Sequence, residues 1–200
     1  MYLNAELQHT KRSVESVMNP NSYYVFVDGS YRHEVGAGYG AVIVKNGKVI
    51  QQIVGNFQSV PLSLQSLGEF TAVIKGVEWC EAKNARRIIV HYDCNGIQDL
   101  ANKQWRPAHP KSNSQQAYKD YHMFMCTRMS QSGCKIELRK VRAHSCDFLN
   151  NWADRLAKMG LYRLTTSQIR KEANLPRQTG KHLMRMIEKI ENHPLELQYA

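Results

Sequence analysis

Short apolar runs punctuated by turn residues predict the strands of this chain. The run YYVFV and the two runs on either side of Asn46-Gly47 are rich in aromatic and β-branched residues, which is typical of buried strands. Because Asn-Gly supplies the positive φ angles of a two-residue hairpin turn, these three runs predict an antiparallel meander of three strands. The continuous apolar run before Asp93 predicts a fourth strand, buried in a parallel sheet, and the alternating, basic stretch after Cys134 predicts a fifth.

Apolar residues at helical spacing predict four helices between and after these strands. They cover residues 66–83, a segment that begins near Asn95, residues 114–131 and residues 151–159. The order predicts an α/β fold with a five-stranded mixed sheet, first antiparallel and then parallel, flanked by helices. We expect an N-terminal tail (1–22), this α/β domain (23–160) and a small helical extension (161–200).

Four acidic residues lie at the ends or on the apolar sides of these predicted core elements: Asp28, Glu69, Asp93 and Asp154. A carboxylate near a core costs several kcal/mol unless it is paired or bound to a cation, so together they predict one metal site. Carboxylate oxygens suit Mg²⁺ or Mn²⁺, and two ions about 4 Å apart can clamp the attacking water and the leaving oxygen of a phosphodiester. Asp28, on the central strand, is the candidate bridge between the two ions.

The charge balance favours a polyanionic partner. Lys and Arg number 27 against 17 Asp and Glu, for a net charge of +10, which makes nucleic acid the first candidate and a membrane surface the second. No apolar run approaches the ~20 residues that a membrane span needs, and no secretion signal precedes the first strand. We therefore expect a soluble, cytoplasmic protein.

The five cysteines show no CxxC spacing, which favours reduced thiols. Cys134, His144 and Cys146 could be zinc ligands, but structural zinc sites normally show two tight ligand pairs, so core or surface thiols are favoured.

Four motifs, taken in order, carry a family resemblance: VFVDGS, GEF, IIVHYD and VRAHSCDFLNNWADRLA. Between Tyr23 and about Gly160 the chain resembles type 1 ribonuclease H. The resemblance implies a ribonuclease H-like fold and an endonuclease that hydrolyses the RNA strand of RNA–DNA hybrids, leaving a 5′-phosphate and a 3′-hydroxyl. It implies two Mg²⁺ ions, with Mn²⁺ as a substitute, no membrane partner and no obligate protein partner. The implied catalytic residues are Asp28, Glu69, Asp93 and Asp154 as metal ligands and His144, which would assist proton movement or product release.

The resemblance also implies a set of substrate contacts, namely Gly29, Ser30, Gln65, Ser66, Cys94, Trp105, Arg106 and Asn150. Many family members carry Asn-Asn-Arg or a similar triplet before the glutamate, where this chain has Gln65 and Ser66 to contact the ribose 2′-hydroxyls. The motifs are closer to a bacterial subgroup. We expect the chain to lack that subgroup's N-terminal hybrid-binding module and the family's basic protrusion, of which Trp105, Arg106 and Lys111 remain.

The last forty residues predict a helix-turn-helix, similar to that of bacterial winged-helix regulators. Ser167 can cap a first helix, Asn174 can make the turn, and a second helix carries Leu183 and Met186 on its apolar side. The residues that would face a DNA duplex are Arg177, Gln178, Thr179, Lys181, His182 and Arg185. The alternative, a helical hairpin that packs on the nuclease domain or mediates dimerisation, is equally compatible with the pattern.

Two other functions fit the same fold. A transposase or resolvase would act on DNA, but the loop with His144 and the short hairpin before Glu69 argue against it. A non-catalytic nucleic-acid binder is the second alternative, and the intact set of four acids argues against that one.

Overall fold

A single five-stranded mixed sheet organises the protein. The computed structural model describes residues 18–33, 35–58, 66–102, 114–131, 133–141 and 148–171. Within the sheet the strand order is β3-β2-β1-β4-β5, with antiparallel pairing among β1, β2 and β3 and parallel pairing of β4 with β1 and β5. This confirms the predicted mixed sheet. The strands are β1 (Tyr23–Arg32), β2 (Gly36–Lys45), β3 (Lys48–Gln58), β4 (Arg87–Tyr92) and β5 (Lys135–Lys140).

Four helices accompany the sheet in this part of the chain: α1 (Leu67–Ala82), α2 (Asn95–Ala101), α3 (Ser114–Ser130) and α4 (Phe148–Lys171). The first three agree with the predicted segments. None of the helices among the described residues combines the length and the apolar character needed to cross a membrane.

The last helix is longer than the sequence predicts. We expected it to end at Met159 and a new helix to begin after Ser167, yet α4 is continuous through both positions. The reason is the role of Gly160, which does not terminate the helix. A Cβ on Gly160 would lie 2.2 Å from the Gly55 carbonyl oxygen, so this glycine lets α4 pass close over β3.

Side chains alternate between two cores on opposite faces of the sheet. On one face, Val25 and Val27 of β1 pack with α1, α2 and α3. On the other, Tyr24 and Phe26 pack with α4, whose Trp152 is 2% exposed. A strand turns successive side chains to opposite faces, so Asp28 continues the row that faces α4.

The hairpin between β2 and β3 is the predicted two-residue turn. Asn46 and Gly47 have φ angles of 52° and 71°, and Lys45 pairs with Lys48 across the turn. Two successive positive φ angles define a type I′ turn, which matches the twist of the flanking strands.

The candidate active site

Asp28 lies where β1 separates from β4. We predicted that Asp28 would end its strand, which is wrong, because β1 stays paired with β2 as far as Arg32. Its pairing with β4 ends earlier, at Phe26 and His91. Asp93 directly follows β4, so the two carboxylates meet at the edge where these parallel strands diverge.

Glu69 reaches this edge because glycines allow α1 to touch the sheet. A Cβ on Gly29 would lie 2.6 Å from the Glu69 backbone nitrogen, and a Cβ on Gly68 would lie 2.4 Å from the carbonyl oxygen of Gly38. Any side chain at Gly29 or Gly68 would therefore push the start of α1 away from the sheet. The two glycines place Glu69, in the first turn of α1, beside Asp28.

Three of the four predicted acids form one compact cluster. Asp28, Glu69 and Asp93 each offer a carboxylate oxygen, and the three oxygens lie within 4.8 Å of one another. Three converging carboxylates fit a hard divalent cation such as Mg²⁺ or Mn²⁺. Glu69 Oε2 supports this fit, because it is buried and accepts no hydrogen bond from the described residues.

Asp154 approaches the cluster from α4. Its charge raises the pKa of Asp28, though less than burial and the charge of Asp93 do, so it lies near the cluster but outside the group of three. Its Oδ2 accepts a hydrogen bond of 2.6 Å from Lys158 Nζ, one helical turn further along. Lys158 therefore balances the charge of Asp154 in this state of the protein.

Close packing of α4 on the sheet fixes the position of Asp154. A Cβ on Gly40, the residue paired with Asp28, would lie 2.4 Å from the Ala153 carbonyl oxygen. Trp152, also on α4, donates a 3.1 Å hydrogen bond from its Nε1 to Oε1 of Gln52 on β3. These contacts hold Ala153, the residue before Asp154, over β2 at the position that pairs with Asp28.

Burial and mutual repulsion raise the pKa values of two carboxyls. Burial is the largest cause for Asp28, followed by the charge of Asp93, and the pKa of Asp28 rises from 3.8 to about 7. Burial also raises the pKa of Glu69 from 4.5 to about 7, while a hydrogen bond from Cys94 opposes the rise. A bound cation would offset both effects.

The metal-free protein should therefore lose stability as the pH rises. Because the folded pKa values exceed the unfolded ones, the destabilisation is absent below pH 4, develops between pH 4 and 7, and is complete above pH 7. At about 1.4 kcal/mol per pKa unit, reduced by solvent screening, we expect about 2–4 kcal/mol. Urea unfolding at pH 5 and pH 8, with and without Mg²⁺, measures this change. A free energy of unfolding equally high at pH 8 without metal would contradict it.

The other predicted site residues divide into two groups. Gly29 contacts the Glu69 backbone, Ser30 lies two residues beyond Asp28 in β1, and Cys94 and Ser66 lie beside Glu69. Asn150, on α4, is only 3% exposed, so its contact with substrate stays a prediction. The remaining predicted residues lie outside the described part of the chain: Gln65, Trp105, Arg106, His144, Arg177, Gln178, Thr179, Lys181, His182 and Arg185.

Sequence reasoning missed several residues that build the site. Gly68 was noted only as part of the motif GEF and not for its close packing on the sheet, and Gly40 was not singled out. The partner of Asp154 was also missed, and the signal for it was a lysine four residues later on the same helix. The zinc alternative has only Cys134 of its three residues within the described part of the chain.

Solved structures share this fold. The chain is 18% identical to the N-terminal RNase H domain of a Mycobacterium tuberculosis protein, with a TM-score of 0.58, and covers 98% of that chain with 74% of its own. It is 16% identical to RNase H1 of the archaeon Halobacterium salinarum, with a TM-score of 0.55 over 70% of this chain and 97% of that one.

A third structure has a nucleic acid bound. LC11-RNase H1, isolated from compost by a metagenomic approach, was solved in complex with an RNA/DNA hybrid. This chain is 14% identical to it, with a TM-score of 0.54 over 70% of this chain and 97% of that one.

Comparison of the sequence, unlike that of the structures, identifies the family to which the chain belongs. No curated protein sequence matches the chain. The sequence profile of the RNase H family matches residues 20–162, which include all four acids. This protein therefore belongs to the RNase H family and is a ribonuclease H.

Proposed function

We propose that this protein cleaves the RNA strand of RNA–DNA hybrids with two divalent metal ions, leaving a 5′-phosphate and a 3′-hydroxyl. The observation that carries the proposal is the convergence of Asp28, Glu69 and Asp93 within 4.8 Å, in a chain that belongs to the RNase H family. The hybrid bound to LC11-RNase H1, a protein of the same fold, supports the choice of substrate.

The four acids would divide two metal positions between them. Asp28, Glu69 and Asp93 would hold one ion, and Asp28 with Asp154 would hold the other, as their proximity supports. The ions supply positive charge that activates water and stabilises the leaving oxygen, and Mg²⁺ is the expected metal. Because Lys158 binds Asp154 here, it would have to release that carboxylate when the second position is filled.

Residues outside the acid cluster would contact the substrate or assist proton transfer. We propose that Ser30 and Ser66 contact the hybrid, Ser66 through a ribose 2′-hydroxyl, and that His144 assists proton movement or product release.

Binding of duplex DNA by residues 172–200 is a separate proposal. Because Leu161 contacts Gly38, a truncation that tests it should end after Lys171.

A substrate panel tests the main proposal. We expect the protein with Mg²⁺ to cleave the RNA strand of a labelled hybrid and to leave double-stranded DNA and single-stranded RNA intact. Asp99→Asn, which changes an exposed acid on α2, should leave the rate unchanged, whereas EDTA should abolish cleavage. DNA cleavage would instead support a transposase-like enzyme, and hybrid binding without cleavage would indicate a non-catalytic binder. Products with a 3′-phosphate would contradict the proposed chemistry.

A further inference from the structure

A cavity of about 560 Å³ opens at the end of the sheet opposite to the acids. It is bounded by Tyr23 at the start of β1, by Lys45 at the end of β2 and by Arg86, which directly precedes β4. Asp28 is five residues further along β1 than Tyr23, which is about 17 Å at about 3.3 Å per residue. The cavity is therefore distinct from the candidate active site.

Two positive charges at this cavity have no acidic partner in the part of the chain that the structure describes. No Asp or Glu of that part lines the cavity, and neither Lys45 nor Arg86 forms an ion pair with one. Glu81 borders a neighbouring cavity that Arg86 also lines, but Glu81 pairs with Arg128 at 3.6 Å. The cavity therefore carries an unbalanced positive charge, which favours an anionic ligand.

Tyr23 holds the ammonium group of Lys45 in place at the cavity. Lys45 Nζ donates a 3.0 Å hydrogen bond to the Tyr23 hydroxyl and lies 4.3 Å from the centre of the Tyr23 ring. An ammonium group has three N–H donors, so two remain after this bond, and the Tyr23 hydroxyl keeps its own hydrogen to donate. A fixed positive charge with several donors matches the oxygens of a phosphate group.

We propose that this cavity binds a phosphate group, held by Lys45, Arg86 and the hydroxyl of Tyr23. A guanidinium group can donate to two phosphate oxygens at once, and the ammonium group adds a compact positive charge. Asn46 and Asn84 also line the cavity, and their side-chain amides offer further N–H donors. The volume is typical of small-molecule sites, so it admits a mononucleotide as well as inorganic phosphate.

Calorimetric titration in EDTA tests the proposal, because without a metal ion the acid cluster repels anions. We expect inorganic phosphate and adenosine 5′-monophosphate to bind the parent protein, and adenosine, which lacks the phosphate, not to bind. Arg86→Gln and Lys45→Gln should each weaken phosphate binding by about tenfold or more. Lys48→Gln is the matched control, since it removes a charge from the same hairpin at a residue that does not line the cavity, and it should bind within about twofold of the parent. Circular dichroism of each variant confirms that it is folded before the titration.

The two phosphate ligands also distinguish the source of the phosphate. Tighter binding of adenosine 5′-monophosphate would support a nucleotide, and equal binding would support free phosphate. Three results would overturn the proposal: no saturable binding of either ligand up to about 10 mM, unchanged binding in both cavity variants, or equal weakening in Lys48→Gln, which would indicate attraction to the net charge alone. Because the titration contains neither metal nor hybrid, its result is independent of the proposed function.

Discussion

Replacing Asp28 with Asn should abolish cleavage while the fold persists. Carboxylate oxygens of Asp28, Glu69 and Asp93 can reach one cation, and Asp28 also feels the charge of Asp154, so its loss affects both proposed metal positions. A metal ion supplies several kcal/mol of charge stabilisation, and each 1.4 kcal/mol is a factor of ten in rate. We expect a fall of at least about 10³-fold in the single-turnover cleavage rate of a labelled hybrid.

The same substitution should stabilise the metal-free protein, which separates loss of function from loss of structure. Burial and the neighbouring acids raise the pKa of Asp28 to about 7, so its charge opposes folding at pH 8. Asn removes that charge at nearly equal volume, and we expect the free energy of unfolding in EDTA to rise by about 2 kcal/mol. A variant that keeps more than a tenth of the parent rate, or that unfolds more easily at pH 8, would contradict this account of Asp28.

The sheet could be predicted from the sequence because its strands carry strong local patterns. Asn46-Gly47 is a turn signal that acts within four residues, and the apolar run before Asp93 is hydrophobic enough to indicate burial on both faces. The end of β1 was not predicted, because Asp-Gly-Ser also occurs in turns. Pairing with β2 carries the strand past this sequence, and the partners, Gly38 to Gly40, lie outside the turn-like sequence itself.

The acids of the site could be predicted, but the contacts that assemble them could not. Asp28 follows a strong apolar run, Glu69 lies in the first turn of a recognisable helix and Asp93 directly follows a buried strand, and the family resemblance supplies their order. The contact of Gly68 with the Gly38 carbonyl joins segments thirty residues apart, which no local pattern shows. The continuation of the last helix through Gly160 was not predicted for the same reason, since a glycine that ends a helix and one that permits close packing look alike in the sequence.

Two glycines of β2 show how closely α4 packs on the sheet. Added Cβ atoms on Gly38 and Gly40 would lie 2.1 Å and 2.4 Å from carbonyl oxygens of α4. The neighbours at Gly38 and Gly40 are backbone atoms, which cannot move aside as a flexible side chain can. A methyl group at either position must therefore displace α4, and with it Asp154.

Gly40→Ala should consequently impair both stability and activity. Forced displacement of packed backbone costs about 3 kcal/mol, which we expect as the loss in the free energy of unfolding measured with urea. Under native conditions we also expect the folded variant to cleave the hybrid more slowly and to need a higher Mg²⁺ concentration. The new methyl group strikes Ala153, which directly precedes Asp154, so the clash displaces this metal ligand. Gly133→Ala is the matched control, since no atom of the described residues lies within 4 Å of its added Cβ, and it should be neutral or slightly stabilising. If the two variants have equal stability and equal Mg²⁺ dependence, α4 does not depend on this contact to hold Asp154 at the site.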